Sequence, residues 1–320
     1  MTVGWGVSGC GWVARDHALP ALRATPGVTV LAVHDRDPAA LARVPEPGTT
    51  DLVEFLATPG LDAVYVASPN DAHRPLVEAA AAAGKAVLCE KPLAADLAGA
   101  EALVAACADR VLLGTAYDQR WHPAHRRAAE LVPRLGTVTA VRIVYCCWLP
   151  GDWSPDGQPH DNWRVDRSRA GGGAAIDLAP HGLDLVGLLL GEDVEELHAL
   201  TQRRVQAYAV DDGALLHGRT PSGVLVDLHV AYNTPDALPR RRLEVVGTEG
   251  ALVAVDTMGQ TAGGTLTHLT PTPVDVPFAA TSPFEAQFAA FSAAVDGSES
   301  WPYDAERDLR LHRLLLEALT

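Results

Sequence analysis

The chain has no uninterrupted apolar run long enough to span a bilayer, no block of lysine or arginine, and no C-x-x-C pair. The first absence removes a membrane-spanning reading. The second, with 25 basic against 40 acidic residues and a net charge of −15, removes a partner with a phosphate backbone. Cysteines are few and odd in number: Cys10, Cys89, Cys107, Cys146 and Cys147. They support neither a disulfide framework nor a zinc site, and buried reduced thiols are the expectation. No G-x-S-x-G elbow and no catalytic-cysteine signature occurs, and no internal repeat. The first strand begins without a basic leader, so a cytoplasmic protein is expected. The 320 residues are 48% hydrophobic, enough for one large domain or two ordinary ones with full cores.

One stretch organises the rest. Val3–Val7 is short and apolar, as a buried parallel strand is. It runs into Gly9-Cys10-Gly11-Trp12-Val13-Ala14, a G-x-G-x-x-A turn. The first glycine of such a turn permits the tight bend, the second lets backbone approach a diphosphate, and the small final residue lets the next helix pack against the strand. The N-terminus of that helix carries the positive end of its dipole. A second strand, Val28–His34, ends at Asp35, whose carboxylate suits a ribose diol and repels a 2′-phosphate. This context predicts dinucleotide binding, with NAD favoured. Arg36, next in the chain, could face a 2′-phosphate or stack on adenine, which keeps NADP open.

From Met1 to about Tyr117, strand and helix alternate. Strands are predicted at Asp62–Ala67, Lys85–Cys89 and Arg110–Thr115, and helices at His73–Ala83 and Asp96–Ala108. The Ala-rich segment 78–83 reads as part of a helix, not a linker. The alternation implies a doubly wound parallel sheet in a dinucleotide-binding domain, 1–117. After Asp118 the pattern changes. A helix near Pro123–Val132 and a strand at Val138–Tyr145 precede Leu149–Arg169, a Pro-, Asp- and Trp-rich loop or lid. Gly171-Gly172-Gly173 opens a helical stretch to Leu190, with Gly191 as its stop. Strands at 194–203, 207–217, 224–232, 241–246 and 251–255 follow at hairpin spacing, then helices near 283–295 and 305–319. The segment 118–320 is therefore expected to be an α+β domain built on an antiparallel sheet.

Ligands of open parallel sheets lie beyond the carboxyl ends of the strands. There the chain places Gly9, Asp35, Ser68-Pro69-Asn70 and Glu90-Lys91-Pro92. Lys91, ahead of a φ-locking proline, could polarise a substrate oxygen; the alternative is a solvated surface lysine. In Asp177-Leu178-Ala179-Pro180-His181 the acid and the imidazole stand at i and i+4, on one helical face, with Pro180 expected to kink or restart the helix. His181 could exchange a proton near neutral pH with a carboxylate to orient it, or the group could be a surface ion pair with Asp184. His122 and His125 lack a third ligand and read as surface histidines, so no metal is expected. Trp148, Trp153 and Trp163 could wall a sugar ring or simply pack a lid.

Taken together, Gly9-Cys10-Gly11, Ser68-Pro69-Asn70-Asp71-Ala72-His73, Glu90-Lys91-Pro92, Trp163-Arg164, Ala170-Gly171-Gly172-Gly173 with Asp177 and His181, and Gly247-Thr248-Glu249-Gly250 resemble the glucose–fructose oxidoreductase/inositol dehydrogenase/rhizopine-catabolism family. The resemblance spans nearly the whole chain. It implies an α/β Rossmann domain followed by a domain with a large, mostly antiparallel open sheet that often makes the oligomer interface, in a homodimer or homotetramer. It implies a catalytic trio of Lys91, Asp177 and His181, and a cis Lys91–Pro92 peptide. Cofactor contacts would come from Gly9, Cys10, Gly11, Trp12, Val13, Asp35, Arg36, Ser68, Pro69, Asn70, His73, Glu90, Lys91, Trp163 and Arg164. Substrate contacts would come from Lys91, Tyr117, Arg120, Trp148, Asp177 and His181.

The activity implied is hydride transfer between NAD, or NADP, and a secondary alcohol or ketone of a sugar, cyclitol or related polyol. Substrate choice would lie in Leu149–Arg169. Two rivals stand beside it: a glycosidase that oxidises and re-reduces its sugar on bound NAD, and a non-catalytic dinucleotide-binding regulator. The intact trio weighs against the regulator.

Overall fold

The computed structural model describes residues 2–155 and 162–320, so positions 156–161 of the expected lid lie outside the described residues. The chain divides into two compact units, Met1–Ala116 with Phe284–Arg310, and Tyr117–Pro283 with Leu311–Thr320.

The first unit is a parallel sheet of six strands: β1 (Val3–Ser8), β2 (Val28–His34), β3 (Gly48–Thr49), β4 (Ala63–Val66), β5 (Ala86–Glu90) and β6 (Leu113–Ala116), in the order β3-β2-β1-β4-β5-β6. That order, reversing between β1 and β4, is the dinucleotide-binding one. A helical stretch begins at Trp12, widens into a π turn over Ala14–Ala18 and continues as α1 (Leu19–Ala24). Two short helices, α2 (Pro38–Leu41) and α3 (Leu52–Leu56), start at Asp37 and Asp51, whose side chains accept from first-turn N–H groups. Then come α4 (His73–Ala82) and α5 (Leu97–Cys107), the latter capped by Asp96 on the Gly99 N–H. Pleating sends Val64, Val66, Val87 and Cys89 into a core with Leu103 and Val104 of α5, while Ala63, Tyr65 and Leu88 face the opposite side.

The second unit contains α6 (Pro123–Leu131), β7 (Val138–Cys146), α7 (Arg167–Ala170) and α8 (Ala174–Leu190), then β8 (Glu196–Gln202), β9 (Gly213–Arg219), β10 (Leu225–Ala231), β11 (Arg241–Gly247), β12 (Gly250–Val255), β13 (Thr265–Leu269) and β14 (Val274–Asp275). Its eight strands run β14-β13-β12-β11-β7-β10-β9-β8, antiparallel except for the β7–β10 pair. One face carries Val141, Ile143, Leu228, Val230 and Leu243 onto α8, and the sheet core is continuous with α6. A Cβ on Gly182 would come within 3.0 Å of Leu228, so the glycine lets α8 lie directly on β10.

The chain closes with α9 (Pro283–Val295) and α10 (Ala305–Ala318). The division at residue 117 puts all later residues in the second domain, yet Phe284–Arg310 groups with the first unit. The reason is aromatic packing. Trp5, fully buried in β1, donates its ring N–H to Ser292 Oγ at 2.9 Å and packs on Phe288 and Phe291, with ring centroids 5.3 and 5.6 Å away.

Three local expectations change. α8 runs through Pro180 as one helical span rather than restarting. The stretch 207–212 is not strand but loop, and β9 begins at Gly213. By length and composition Arg167–Leu190 passes as a membrane span, although Gly171–Gly173 divide it; 78% of its apolar window is buried, as in a core helix.

Candidate active site

The first unit presents its functional groups at the carboxyl ends of its strands. Gly9 has φ 98°, and a Cβ there would lie 2.6 Å from the Ala67 carbonyl carbon and the Ser68 nitrogen. The β1 turn therefore needs glycine both for its conformation and for its contact with the turn after β4. Gly11 is different: a Cβ there would meet nothing within 4 Å. That open space at the start of the helix is what a diphosphate requires. Asp35 accepts from the Cys10 N–H through Oδ2 at 2.8 Å and from the Asp37 N–H through Oδ1 at 2.9 Å. Each oxygen retains a second lone pair for a ribose hydroxyl. The Cys10 thiol, buried and near Asp35, is pushed up to about 12 and stays protonated. Arg36 is exposed beside it, and Trp12 and Val13 are half-buried. The donor set and the open cradle fit a nicotinamide dinucleotide.

Lys91 follows β5. Its peptide bond to Pro92 is cis. Glu90 fixes the turn: Tyr65 Oη donates to Glu90 Oε1, and the Lys91 N–H donates to Glu90 Oε2 at 3.2 Å. His73, expected among the cofactor contacts, is fully buried. Its Nε2 lies 2.9 Å from the Ser68 carbonyl, and its Nδ1 lies 3.0 and 3.2 Å from the Pro92 and Leu93 carbonyls. It ties the Ser68-Pro69-Asn70 turn to the Lys91 turn. Burial lowers its pKa, while the three carbonyls pull the other way. Asn70 is buried, and Ser68 and Pro69 are half-buried.

The second unit carries the imidazole. The N-terminus of α8 is clamped by Asp211, which accepts from the Gly173 N–H at 2.9 Å and the Ala175 N–H at 2.8 Å. A Cβ on Gly173 would sit 2.0 Å from the Asp211 carbonyl oxygen, which explains the glycine there. One turn along, Asp177 Oδ2 accepts from Tyr232 Oη at 2.6 Å. Burial, then the Asp177 charge, push the Tyr232 phenol well up, so it remains the donor. His181, 5% exposed, presents Nδ1 to Asp118 Oδ1 at 3.6 Å. The rings of Tyr117 and Tyr145 stand edge-on to it, with centroids at 6.2 and 5.5 Å. Asp177 and His181 share a helical face as expected, and Asp118 brings a further carboxylate to 3.6 Å from Nδ1.

Other candidates fall elsewhere. Arg120, expected at the substrate, is fully buried, with Nε 2.8 Å from both oxygens of Asp184 and its guanidinium 4.6 Å from the Tyr117 ring. Asp184 is thus buried in a pair with Arg120 and is not part of a surface pair with His181. Trp148 is 37% exposed and bridges to Asn233. Arg164 stacks over Trp163 at 4.6 Å and Trp153 at 5.9 Å.

His122 and His125, expected at the surface, are both buried. His122 Nδ1 accepts from the Ala124 N–H at the start of α6, and its Nε2 meets the Thr261 carbonyl at 3.2 Å. His125 Nδ1 donates to the Gln119 carbonyl at 2.9 Å, and its Nε2 meets Thr257 Oγ1 at 2.9 Å. Their ring centroids lie 4.8 Å apart. Burial holds them neutral, at about 4 and about 3.

Asp118, Tyr145, Asp211 and Tyr232 escaped the sequence reading. The available signal was an acid two residues past a strand end, in Tyr117-Asp118-Gln119-Arg120.

Family models match on both units: the oxidoreductase-family NAD-binding Rossmann fold over residues 3–115, and the GFO/IDH/MocA C-terminal domain over residues 125–253. A 1,5-anhydro-D-fructose reductase from Ensifer adhaerens is 34% identical over 303 residues, 92% of this chain and 88% of the relative. The chain belongs to the Gfo/Idh/MocA oxidoreductase family. An inositol 2-dehydrogenase from Saccharopolyspora erythraea is 31% identical, over 79% of this Gfo/Idh/MocA chain and 74% of the relative. Among solved structures, a 3-ketoreductase from Actinomadura kijaniata in complex with NADP matches with TM-score 0.84 and 25% identity, covering 100% of this chain and 97% of that one. An aldose–aldose oxidoreductase from Caulobacter crescentus shares the fold, with TM-score 0.86 at 24% identity over 99% and 97% of the chains. As a Gfo/Idh/MocA protein with these two units, the chain is a nicotinamide-dinucleotide-dependent oxidoreductase.

Proposed function

We propose that this protein transfers a hydride between a nicotinamide cofactor and a secondary alcohol or ketone of a sugar, cyclitol or related polyol. The observation that carries this is His181. A buried imidazole boxed by two aromatic rings, with a carboxylate at one nitrogen, is proton-transfer machinery that a dinucleotide-sensing regulator does not need. The named relatives act on sugars and cyclitols, which supports the substrate class.

In the oxidative direction His181 takes the hydroxyl proton. Lys91, held at the end of β5 by its neighbour Glu90, supplies an ammonium suited to stabilising a developing alkoxide. Asp177, held by Tyr232, fixes a neighbouring substrate hydroxyl. The hydroxyl proton thus goes to the imidazole, the C–H electron pair leaves with its hydrogen, and the carbon becomes a carbonyl. A dinucleotide would be held with its diphosphate at the Gly9–Gly11 turn and its adenosine ribose on Asp35, and its nicotinamide ring would supply the hydride acceptor or donor.

We assign NAD as the preferred cofactor, because a carboxylate fixed at the end of β2 by two N–H groups repels a 2′-phosphate. A homo-oligomer is supported by Leu200, Leu215 and Leu225, exposed on neighbouring strands of the second unit's sheet. A reducing, cytoplasmic compartment is supported by five free cysteines.

The test is a spectrophotometric screen of NAD and NADP against sugars, anhydro-ketosugars, cyclitols and nucleotide-linked ketosugars. Turnover of at least one such alcohol or ketone with net change in reduced cofactor is expected. Cofactor binding without turnover across the panel, or glycoside hydrolysis without net reduced cofactor, would overturn the assignment.

A further inference from the structure

We propose that Asp118, rather than Asp177, is the positioning carboxylate that orients the His181 ring and sets its basicity. The proposal rests on reading His181 as the proton-transfer group.

The two acids are held differently. Asp177 lies one turn before His181, but its Oδ2 is drawn to Tyr232 Oη at 2.6 Å, at the end of β10. Asp118 lies in the turn 118–121 and is 6% exposed. Its Oδ2 accepts from Gln119 Nε2 at 2.8 Å, and the same amide nitrogen donates to the Gly259 carbonyl at 3.0 Å. The Gln119 backbone carbonyl is held in turn by His125. This scaffold holds Oδ1 3.6 Å from His181 Nδ1, within ion-pair range but beyond a hydrogen bond. The proton taken from substrate would then enter at Nε2, with Nδ1 kept toward the carboxylate.

Within the second unit, the ion pair at the His181 Nδ1 is with Asp118. On α8, Asp184 is paired with Arg120 from the 118–121 turn. From β7, the Tyr145 phenol and, just beyond the strand, the Cys147 thiol are pushed up by burial and stay neutral, the thiol at about 12. Arg241 of β11 sits 5.6 Å from the Tyr145 ring centroid, on a different ring from the imidazole. Tyr232 is neutral, and Asp177 is the one further acid on the helix itself. A carboxylate this near favours the imidazolium while burial of the ring opposes it, so the charge on Asp118 bears directly on that balance.

The experiment is a pH titration of histidine side-chain NMR signals in the unliganded protein, with His181 assigned by its loss in His181→Gln. In Asp118→Asn the His181 midpoint should fall by about one to three pH units. The acid limb of kcat/KM for alcohol oxidation should move down with it, because the base must be neutral to act. Asp118→Glu, which keeps the charge, should restore most of the midpoint. Tyr232→Phe should move it by less than half as far and act mainly on KM. Should Asp118→Asn fail to fold, Asp118→Ser removes the same charge. An unchanged midpoint in the charge-removing variant, a shift as large in Tyr232→Phe, or a wild-type His181 neutral down to pH 5 would each overturn the proposal. The titration needs no turnover, so an inactive wild type would sink the proposed function while leaving this answer readable.

Discussion

Acid should unfold this protein through His122 and His125, and the size of the effect follows from their burial. Both rings are held neutral in the folded state, His122 at about 4 and His125 at about 3, against 6.5 when exposed. Burial is the cause in each case, and for His125 the neighbouring His122 adds to it. Below pH 6.5 the unfolded chain therefore binds protons that the native protein refuses. The stabilisation is complete above that value and is lost as pH falls. At pH 5 both native rings are still neutral, so the loss depends on the distance from 6.5 to 5. At about 1.4 kcal/mol per pH unit, that is about 2 kcal/mol per histidine and about 4 kcal/mol for the pair. A protein stable by about 5–15 kcal/mol would lose a large share of its margin. The assay is urea unfolding at pH 7.5 and pH 5.0, followed by tryptophan fluorescence. His125→Gln should reduce the pH-dependent difference by about 2 kcal/mol relative to wild type. Equal pH dependence in the two proteins would refute the reasoning. The consequence is functional as well, since His125 holds Gln119 and Gln119 holds Asp118 beside His181.

Three further outcomes follow from the same contacts. Lys91→Ala should lower kcat by about 10²- to 10⁴-fold with the dissociation constant for NAD changed only a few-fold, checked by steady-state kinetics and cofactor-fluorescence titration. Asp35→Ser should raise the NADP-to-NAD ratio of kcat/KM by about tenfold or more; an unchanged ratio would show that the carboxylate does not read the ribose. Phe288→Ala, under Trp5 and Tyr65, should cost about 3–5 kcal/mol in unfolding free energy, because it empties an aromatic core position of the first unit.

What was legible in the sequence was what chain-local chemistry encodes. Asp96 as a cap and Gly191 as a stop act within a few residues, the G-x-G-x-x-A turn and Asp35 are marked by their places at strand ends, and the structure has them so. What was not legible was set by packing between distant residues. Trp5 and Ser292 meet across 287 positions, which is why the sequence alone left α9 with the second domain. Asp118 and His181 meet because the 118–121 turn packs on α8, a contact that no spacing within the chain announces. The two histidines at 122 and 125 looked solvated because nothing nearby in sequence announces Thr257 or Thr261. β13 and β14, the last two strands on one side of the sheet, were missed because they are short and lie among Thr and Gly, without an alternating apolar face.

The most direct test of the central claim follows the hydride itself. A substrate found in the screen, deuterated at the reacting carbinol carbon, is incubated with the enzyme and oxidised cofactor, and the reduced cofactor is analysed by mass spectrometry and proton NMR. One deuterium is expected at nicotinamide C4, on a single face, in amount equal to ketone formed. Deuterium released to water, or product formed with no label in the cofactor, would contradict it.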